Sequence, residues 1–263
     1  MSTLVARVLD RPGGRGGLLF ERNLLSYRSM WPIIVSGFFE PLFFLLSLGY
    51  GLGGYVGDVF IDGSRTEYAA FVAPGLLAAS AMNGAFYDAT NIFWKLRYQK
   101  LYDAVLSTPL GPKDVATGET AWALFRGLIY AVGFFAVILA LGLVESWWAL
   151  LALPATVFLG FAFAGAGIAA VTYMRSWQDF DILNLAILPM FLFSATFFPL
   201  STYPDWLEVV VQATPLYHGV ELLRALTTGT VGPEQLLNVA YLAALGLVGM
   251  WIAGRRIEKL LLT

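Results

Sequence analysis

Six long apolar stretches dominate this chain of 263 residues, and basic residues gather in every second segment between them. A bilayer's hydrocarbon layer is about 30 Å thick and a helix rises about 1.5 Å per residue, so about 20 apolar residues cross it once. The stretches lie at approximately 32–53, 68–94, 114–143, 148–173, 181–200 and 234–254. They predict an all-α, polytopic membrane protein with six transmembrane helices, in which residues 1–263 form a single domain.

The distribution of lysine and arginine predicts the orientation, because these residues stay preferentially on the cytoplasmic side. If the chain crosses at every stretch, one side holds thirteen of the 16 basic residues: Arg7, Arg11, Arg15, Arg22, Arg28, Lys95, Arg97, Lys100, Lys113, Arg175, Arg255, Arg256 and Lys259. Only Arg65 and Arg224 fall on the other side, and Arg126 lies within the third stretch. We therefore expect both termini to be cytoplasmic and the protein to lie in the cell membrane.

Composition supports a membrane protein and excludes several other classes. The chain is 58% hydrophobic and 13% charged, against about 25% charged in soluble domains. Its net charge of −2 does not indicate nucleic-acid binding, and the absence of cysteine excludes disulfides and thiolate metal sites. The polar, glycine-rich segment 1–28 lacks a short apolar run before a small-residue cleavage site, so we expect no signal peptide.

The segment 15–31, before the first apolar stretch, mixes apolar, aromatic and basic residues. Leu24, Tyr27, Arg28 and Trp31 share one face at helical spacing. This pattern is typical of a helix that lies in the membrane interface. A flexible basic tail within residues 1–31 is the alternative.

The cytoplasmic connection 94–112 predicts a short amphipathic helix. Leu101, Val105 and Leu106 form an apolar ridge, and polar side chains surround it: Lys100, Tyr102 and Asp103. Pro109 ends the helix. Such a helix either docks a partner protein or lies on lipid headgroups, and the pattern alone favours neither.

The segment 201–231 on the outer side predicts two short helices. One begins at Pro204 and the other runs from Leu216 to about Leu226, with Thr214-Pro215 between them. Both are too short to cross the bilayer and too apolar to lie free in water. We expect re-entrant half-helices, because irregular backbone at membrane depth must be buried in protein or face a water-filled cavity.

Polar residues within the stretches are functional candidates, because charge inside a bilayer is costly. Three charged residues are singled out among them: Glu40, Asp88 and Arg126. They either line a route for an amphiphilic or cationic solute, or Arg126 pairs with Asp88 or Glu40 and sets helix register. A polar stripe on the second stretch, with Asp88 beside it, is either part of a substrate path or a set of interhelical hydrogen bonds; its members are Ser80, Asn83, Tyr87 and Asn91.

Small residues and a lone histidine give weaker signals. Glycines at 49–54 are expected to end the first helix. In the fourth stretch, Ala162, Ala166 and Ala170 form a small-residue stripe that either packs within the chain or forms a dimer face. His218 has no companion ligand in the sequence pattern, so we expect local hydrogen bonding and no metal site.

The order of these segments resembles permease subunits of the type-2 ABC transporter family. Phe71–Leu77 resembles the second-span signature of that family, and Leu101–Leu110 resembles its coupling helix with the following Thr-Pro-Leu. Four short segments resemble the family's signature for the fifth span and the outer segment: Phe197–Leu200, Tyr203–Leu207, Pro215–Tyr217 and Glu221–Arg224. Ala73–Trp122 is most similar to permeases of nodulation lipo-oligosaccharide exporters and their drug-export relatives. Asn83–Trp94 departs from that pattern, so the oligosaccharide itself is not carried over.

The resemblance implies a membrane subunit without catalytic residues, which works with two cytoplasmic ATPase subunits and a second permease, either a copy or a sister chain. It implies ATPase contacts at the coupling helix, at Arg97, Gln99, Lys100, Leu101, Tyr102, Asp103, Val105, Leu106 and Thr108. It implies an outer gate that includes Pro204, Trp206, Pro215, Tyr217, Glu221 and Arg224. No Gly-x-x-x-x-Gly-Lys-Ser/Thr run is present, so we expect no cofactor on this chain and ATP with Mg on the partner.

The resulting expectation is an exporter permease, surrounded by membrane lipids, for an amphiphilic, lipid-linked, oligosaccharide or drug-like substrate. The alternatives are a secondary transporter that needs no ATPase and an intramembrane enzyme. A secondary transporter of this size usually shows an internal repeat, and the halves show no convincing self-similarity. An enzyme needs clustered catalytic side chains, whereas this chain has one histidine and three scattered intramembrane charges.

Overall fold

A computed structural model describes residues 14–28, 39–61 and 64–262, and this part of the chain is mostly helical. The longer helices are α1 (Gly16–Tyr27), α3 (Tyr68–Arg97), α5 (Pro112–Ala140), α6 (Ala152–Val171), α7 (Asp179–Leu192), α9 (Pro215–Thr228) and α10 (Gln235–Leu262). The shorter ones are α2 (Gly53–Val56), α4 (Leu101–Leu106) and α8 (Asp205–Gln212), with 3-10 turns at Trp147–Leu151 and Leu200–Thr202. The beginning of the first predicted span lies outside the described residues.

Four helices in the described residues are long and apolar enough to cross a membrane, by length and composition. They are α3, α5, the run Trp147–Val171 that ends with α6, and the Gln235–Leu260 part of α10. The helix in the fifth predicted stretch is shorter: α7 has 14 residues and ends at Leu192. Pro189, which lacks an N–H donor, lies in its last turn, and irregular backbone follows over 193–199.

The glycines at 49–54 do not end the first helix, so that prediction is wrong. The chain is helical from residue 39 to Val56, with a π-helix at Leu45–Leu52. The wider π turn keeps these backbone groups hydrogen-bonded, and the helix ends at Gly57, whose φ of 72° favours glycine.

A small antiparallel hairpin of β1 (Asp58–Ile61) and β2 (Ser64–Glu67) follows as a local exception to the all-α prediction. Asp58 pairs with Arg65 on it.

The core lies between α3, α5, α6 and α9, where Phe71, Leu76, Phe134, Leu159 and Val220 are fully buried. Burial of this kind is expected where long helices surround one another on all sides.

Helices α6 and α10 make close backbone contact through glycines. A methyl group added at Gly249 would come within 2.4 Å of the Gly165 carbonyl carbon, and one at Gly246 within 3.2 Å of the Ala162 Cα. The small residues of α6 therefore pack against α10 within the chain. Gly165, the centre of this contact, does not belong to the stripe that the sequence pattern singled out.

Candidate functional site

The short helix α4 presents one buried and one exposed face. Tyr102 is 2% exposed and Val105 is 8% exposed, whereas Asp103 and Ala104 are exposed. The buried face packs in an apolar cluster with residues from α1, α3, α5, α6 and α10: Leu19, Ile92, Val115, Ile168 and Ile257. The other coupling-helix residues named from the sequence are exposed at Arg97, Gln99, Lys100 and Thr108 and half-buried at Leu101 and Leu106. The end of the helix bundle that carries α4 is called the α4 end below.

A buried ion pair lies directly behind α4. The Lys95 ammonium at the end of α3 is 2.7 and 2.9 Å from the two carboxylate oxygens of Glu119 on α5. The Lys95 ammonium also donates to Asn23 Oδ1 of α1 at 3.1 Å, and Asn23 Nδ2 donates to Glu119 at 3.1 Å. The Tyr102 hydroxyl of α4 donates to Glu119 Oε1 at 3.0 Å. We call these four side chains the Lys95–Glu119 cluster; it joins α1, α3, α4 and α5.

The protonation of Tyr102 suits its place in this cluster. Burial, and after it the neighbouring Glu119 carboxylate, raise the pKa of the Tyr102 phenol well above its usual value of 10.0. The phenol therefore keeps its proton and donates to Glu119 at physiological pH. Because a hydrogen bond to a charged group is stronger than a neutral one, Tyr102 attaches α4 firmly to Glu119.

Helix α1 is fixed to the start of α5 by close backbone contact. A methyl group added at Gly118 would come within 2.6 Å of the Gly16 carbonyl oxygen. The Asp114 carboxylate accepts hydrogen bonds from the backbone N–H groups of Arg15 and Gly111, and the Arg15 guanidinium donates to the Pro109 carbonyl at 2.8 Å. These hydrogen bonds attach the loop between α4 and α5 to the N-terminal end of α1.

A second buried ion pair joins α3 to α5. The Arg126 guanidinium is 2.6 Å from Asp88 Oδ1, and these side chains are 5% and 2% exposed. The guanidinium also donates to the Tyr130 hydroxyl at 2.9 Å, and Asn91 donates to both Asp88 and the Tyr27 hydroxyl of α1. Of the two arrangements considered for Arg126, the structure has the pair with Asp88.

Two acidic residues, Glu40 and Asp181, line an open groove of about 430 Å³. Asn83 and Asn184 add amide groups, and Leu185 and other apolar side chains of α7 line the remainder. The polar stripe of α3 therefore divides: Asn83 lines this groove, whereas Asp88 and Asn91 bond to α5 and α1 and Ser80 is buried. The side chain of Tyr87 lies outside the described residues.

At the opposite end of the bundle, Arg224 of α9 is buried and joins three segments. Its guanidinium bonds to Glu221 at 2.5 Å and to the Ala195 carbonyl at 2.6 Å, and lies 4.2 Å from the Phe71 ring centre. Ala195 has a φ of 56°, which is unusual for a residue other than glycine. Arg224 thus holds the irregular segment after α7 against α3.

The other residues predicted at this end lie around α8 and α9. Pro204 precedes α8, Trp206 is 70% exposed, Pro215 begins α9, and Tyr217 is half-buried. His218 Nδ1 lies 2.7 Å from Asn238 Oδ1 of α10; the histidine is hydrogen-bonded as expected, but to the next helix and not locally. No group of side chains suited to hold a metal ion occurs in the described part of the chain.

Sequence reasoning missed the Lys95–Glu119 cluster. Lys95 is one of several basic residues in a polar connection, and Glu119 lies within the range Ala73–Trp122, which carries the similarity to nodulation exporter permeases, without being singled out. A usable signal was present, because Glu119 lies inside the apolar stretch 114–143 and a buried carboxylate requires a partner.

Comparisons with known proteins agree with this architecture. The profile of the ABC-2 type transporter family matches residues 17–227. The chain is 29% identical to nodulation protein J of Rhizobium meliloti (strain 1021) over the full length of both proteins. It is 32% identical to nodulation protein J of Rhizobium leguminosarum bv. viciae over 86% of this chain and 89% of that protein. It is 24% identical to the daunorubicin resistance ABC transporter permease protein DrrB1 of Streptomyces coeruleorubidus, over 80% of this chain and 74% of that protein. The chain therefore belongs to the ABC-2 type transporter family.

Proposed function

We propose that this chain is the membrane permease subunit of an ATP-driven exporter in the cytoplasmic membrane, powered by two separate ATPase subunits that bind at α4. The observation that carries the proposal is the contact between α4 and the Lys95–Glu119 cluster. Helix α4 has one exposed face, and the Tyr102 side chain on its buried face is bonded to the charged pair of α3 and α5. A displacement of α4 can therefore move both of these helices at once. ATP and Mg belong to the partner in this scheme, and this chain carries neither cofactors nor catalytic groups.

The proposed topology has six membrane crossings, with both termini and α4 in the cytoplasm and α1 in the membrane interface. Exposed aromatic side chains support it, because tryptophan and tyrosine are enriched at both membrane boundaries. Trp94, Tyr98 and Trp177 are exposed near the α4 end. At the opposite end, exposed aromatic side chains occur at Tyr55, Trp147 and Trp206.

We infer an amphiphilic substrate that moves along the groove lined by Glu40, Asn83 and Asp181. Carboxylates and amides beside apolar side chains suit a molecule with a polar head and an apolar body. A second permease, either a copy or a sister chain, would complete the route on the open side of this groove. Helices α8 and α9 then act as the outer gate, and Arg224 holds α9 against α3 and against the segment after α7.

Exchanging the charges at Lys100 and Asp103 tests the ATPase contact. Both side chains are exposed, and reversing a charge at an interface sets like charges against each other. For Lys100→Asp with Asp103→Lys we expect transport to fall about tenfold or more, because a loss of about 1.4 kcal/mol in the binding of the ATPase lowers its affinity tenfold. Insertion into the membrane should be normal. The measurement is substrate-stimulated ATP hydrolysis and transport by the complex purified through a tag on the permease.

The matched control exchanges Asp58 and Arg65, an exposed pair on the β1–β2 hairpin. It should leave hydrolysis, transport and ATPase co-purification unchanged. Normal coupling in the Lys100/Asp103 variant would contradict the placement of the ATPase at α4. Purification of the unaltered permease without any ATPase would favour a transporter of another class.

A further inference from the structure

We propose that a cleft between α5 and α10 at the α4 end binds one anionic phospholipid. The cleft has a volume of about 410 Å³ and lies where the first turn of α5 meets the last turns of α10. Its polar rim carries two cations, Lys113 and Arg255, one hydroxyl, Thr117, and one carboxylate, Glu258. Its apolar part is formed by small or apolar residues: Ala116, Met250, Trp251 and Gly254.

The charges of the rim fit a phosphate group. Lys113 is exposed, and its ammonium has no hydrogen-bond or ion-pair partner among the described residues. The Arg255 guanidinium lies 4.1 Å from the Trp251 ring centre, which orients it by a cation–π contact without using its hydrogen-bond donors. With Glu258 included, the rim keeps one net positive charge.

The apolar lining of the cleft fits an acyl chain. Gly254 leaves open space, since a methyl group added there would meet no atom within 4 Å. Ala116 faces the cleft from α5 with a short side chain, and Met250 adapts to an irregular apolar ligand. Trp251 is 58% exposed, as expected for an indole at the depth of the headgroups.

These features favour a lipid over a soluble anion or a protein segment. Basic pockets between membrane helices on the cytoplasmic side recognise anionic headgroups, and here two cations line the same cleft as apolar side chains. The assignment rests on the proposed function only in placing the α4 end at the cytoplasmic leaflet. It involves neither the ATPase contact nor the substrate groove.

The test is lipid binding by the purified full-length chain in neutral detergent, measured by native mass spectrometry with phosphatidylglycerol and with phosphatidylcholine of the same acyl chains. We expect one tightly held phosphatidylglycerol and no equivalent phosphatidylcholine. Lys113→Gln and Arg255→Gln should each weaken that binding about fivefold. Gly254→Phe should abolish it by filling the cavity; an added Cβ there meets no atom within 4 Å, and an unchanged melting temperature in detergent checks that the fold is kept. Glycerol phosphate, which has no acyl chain, should not compete.

Two control variants separate the cleft from general surface effects. Arg175→Gln removes an exposed cation outside the cleft, and Gly54→Phe adds a ring at a glycine that also has open space around it. Both should bind phosphatidylglycerol like the unaltered chain. Equal binding of the two lipids, unchanged binding in Gly254→Phe, or full competition by glycerol phosphate would each overturn the proposal. If Gly254→Phe binds lipid normally but no longer co-purifies with an ATPase, the cleft is a contact for a partner protein and the lipid proposal is overturned. Failure of the ATPase assays on Lys100 and Asp103 would leave the lipid result standing.

Discussion

Replacing Glu119 by alanine is expected to destabilise the protein by about 3–5 kcal/mol, the usual cost of leaving one charge of a buried ion pair without its partner. The Lys95 side chain is 10% exposed and that of Glu119 is 2% exposed, so water does not replace the lost carboxylate. Tyr102 and Asn23 lose their acceptor in the same variant. Free energies of unfolding from titration with a denaturing detergent, followed by tryptophan fluorescence, measure the effect.

The pair Lys95→Met with Glu119→Gln should recover most of this loss. The glutamine oxygen can still accept from the Tyr102 hydroxyl. Its amide group can donate to Asn23 Oδ1 once the Asn23 amide turns over, because Asn23 Nδ2 faces that position in the unaltered chain and the ammonium no longer holds Oδ1. No charge then remains in this cluster, and we expect a stability within about 1.5 kcal/mol of the unaltered chain, as for volume-conserving replacements. If the charged pair transmits the movement of α4, this stable double variant will still hydrolyse ATP in the complex while exporting less substrate.

Arg65→Met with Asp58→Asn is the matched control, because it removes an ion pair whose arginine side chain is 75% exposed. An exposed pair contributes about 0–1 kcal/mol, so little change is expected. A loss below 1 kcal/mol in Glu119→Ala would show that the cluster is hydrated, and full export by the double variant would remove its role in coupling.

The helices that the sequence predicted best are those whose formation depends only on the residues within the helix itself. The apolar runs at 68–94, 114–143 and 234–254 each correspond to one long helix, because crossing length depends on the composition of one segment alone. Pro109 ends the short helix before it in the same local way. The prediction of α4 therefore needed no knowledge of its neighbours.

The contacts that connect these helices could not be predicted in the same way. Lys95 and Glu119 are separated by a loop and by α4, and their pairing depends on how α3 turns about its axis against α5. The same reason left the partner of Arg126 open between Glu40 and Asp88. For Arg224, the Ala195 carbonyl becomes available only because the backbone after Leu192 is irregular, and no side-chain pattern carries that information.

Gly249→Leu is expected to lower the amount of folded protein markedly. A side chain at this position meets the backbone of α6, with the Gly165 carbonyl carbon at 2.4 Å and the Ala166 nitrogen at 2.6 Å from the added Cβ. Backbone cannot move aside as a side chain can, so α6 and α10 must separate. Overpacking of this kind costs about 1–3 kcal/mol and occasionally more, and here we expect the upper end. Size-exclusion profiles in detergent and the melting temperature measure it.

Two other glycines turn this variant into a test of what the small residues of α6 do. Gly160→Ala should be tolerated, because its Cβ would have an ordinary contact of 3.5 Å with Leu124, and Gly254→Ala should be neutral or slightly stabilising in a helix with open space around it. If close packing within the chain is the role of this face, Gly249→Leu lowers the melting temperature of every oligomeric form alike. A Gly249→Leu chain that keeps its melting temperature but no longer pairs with a second permease would instead make the same face a contact between subunits.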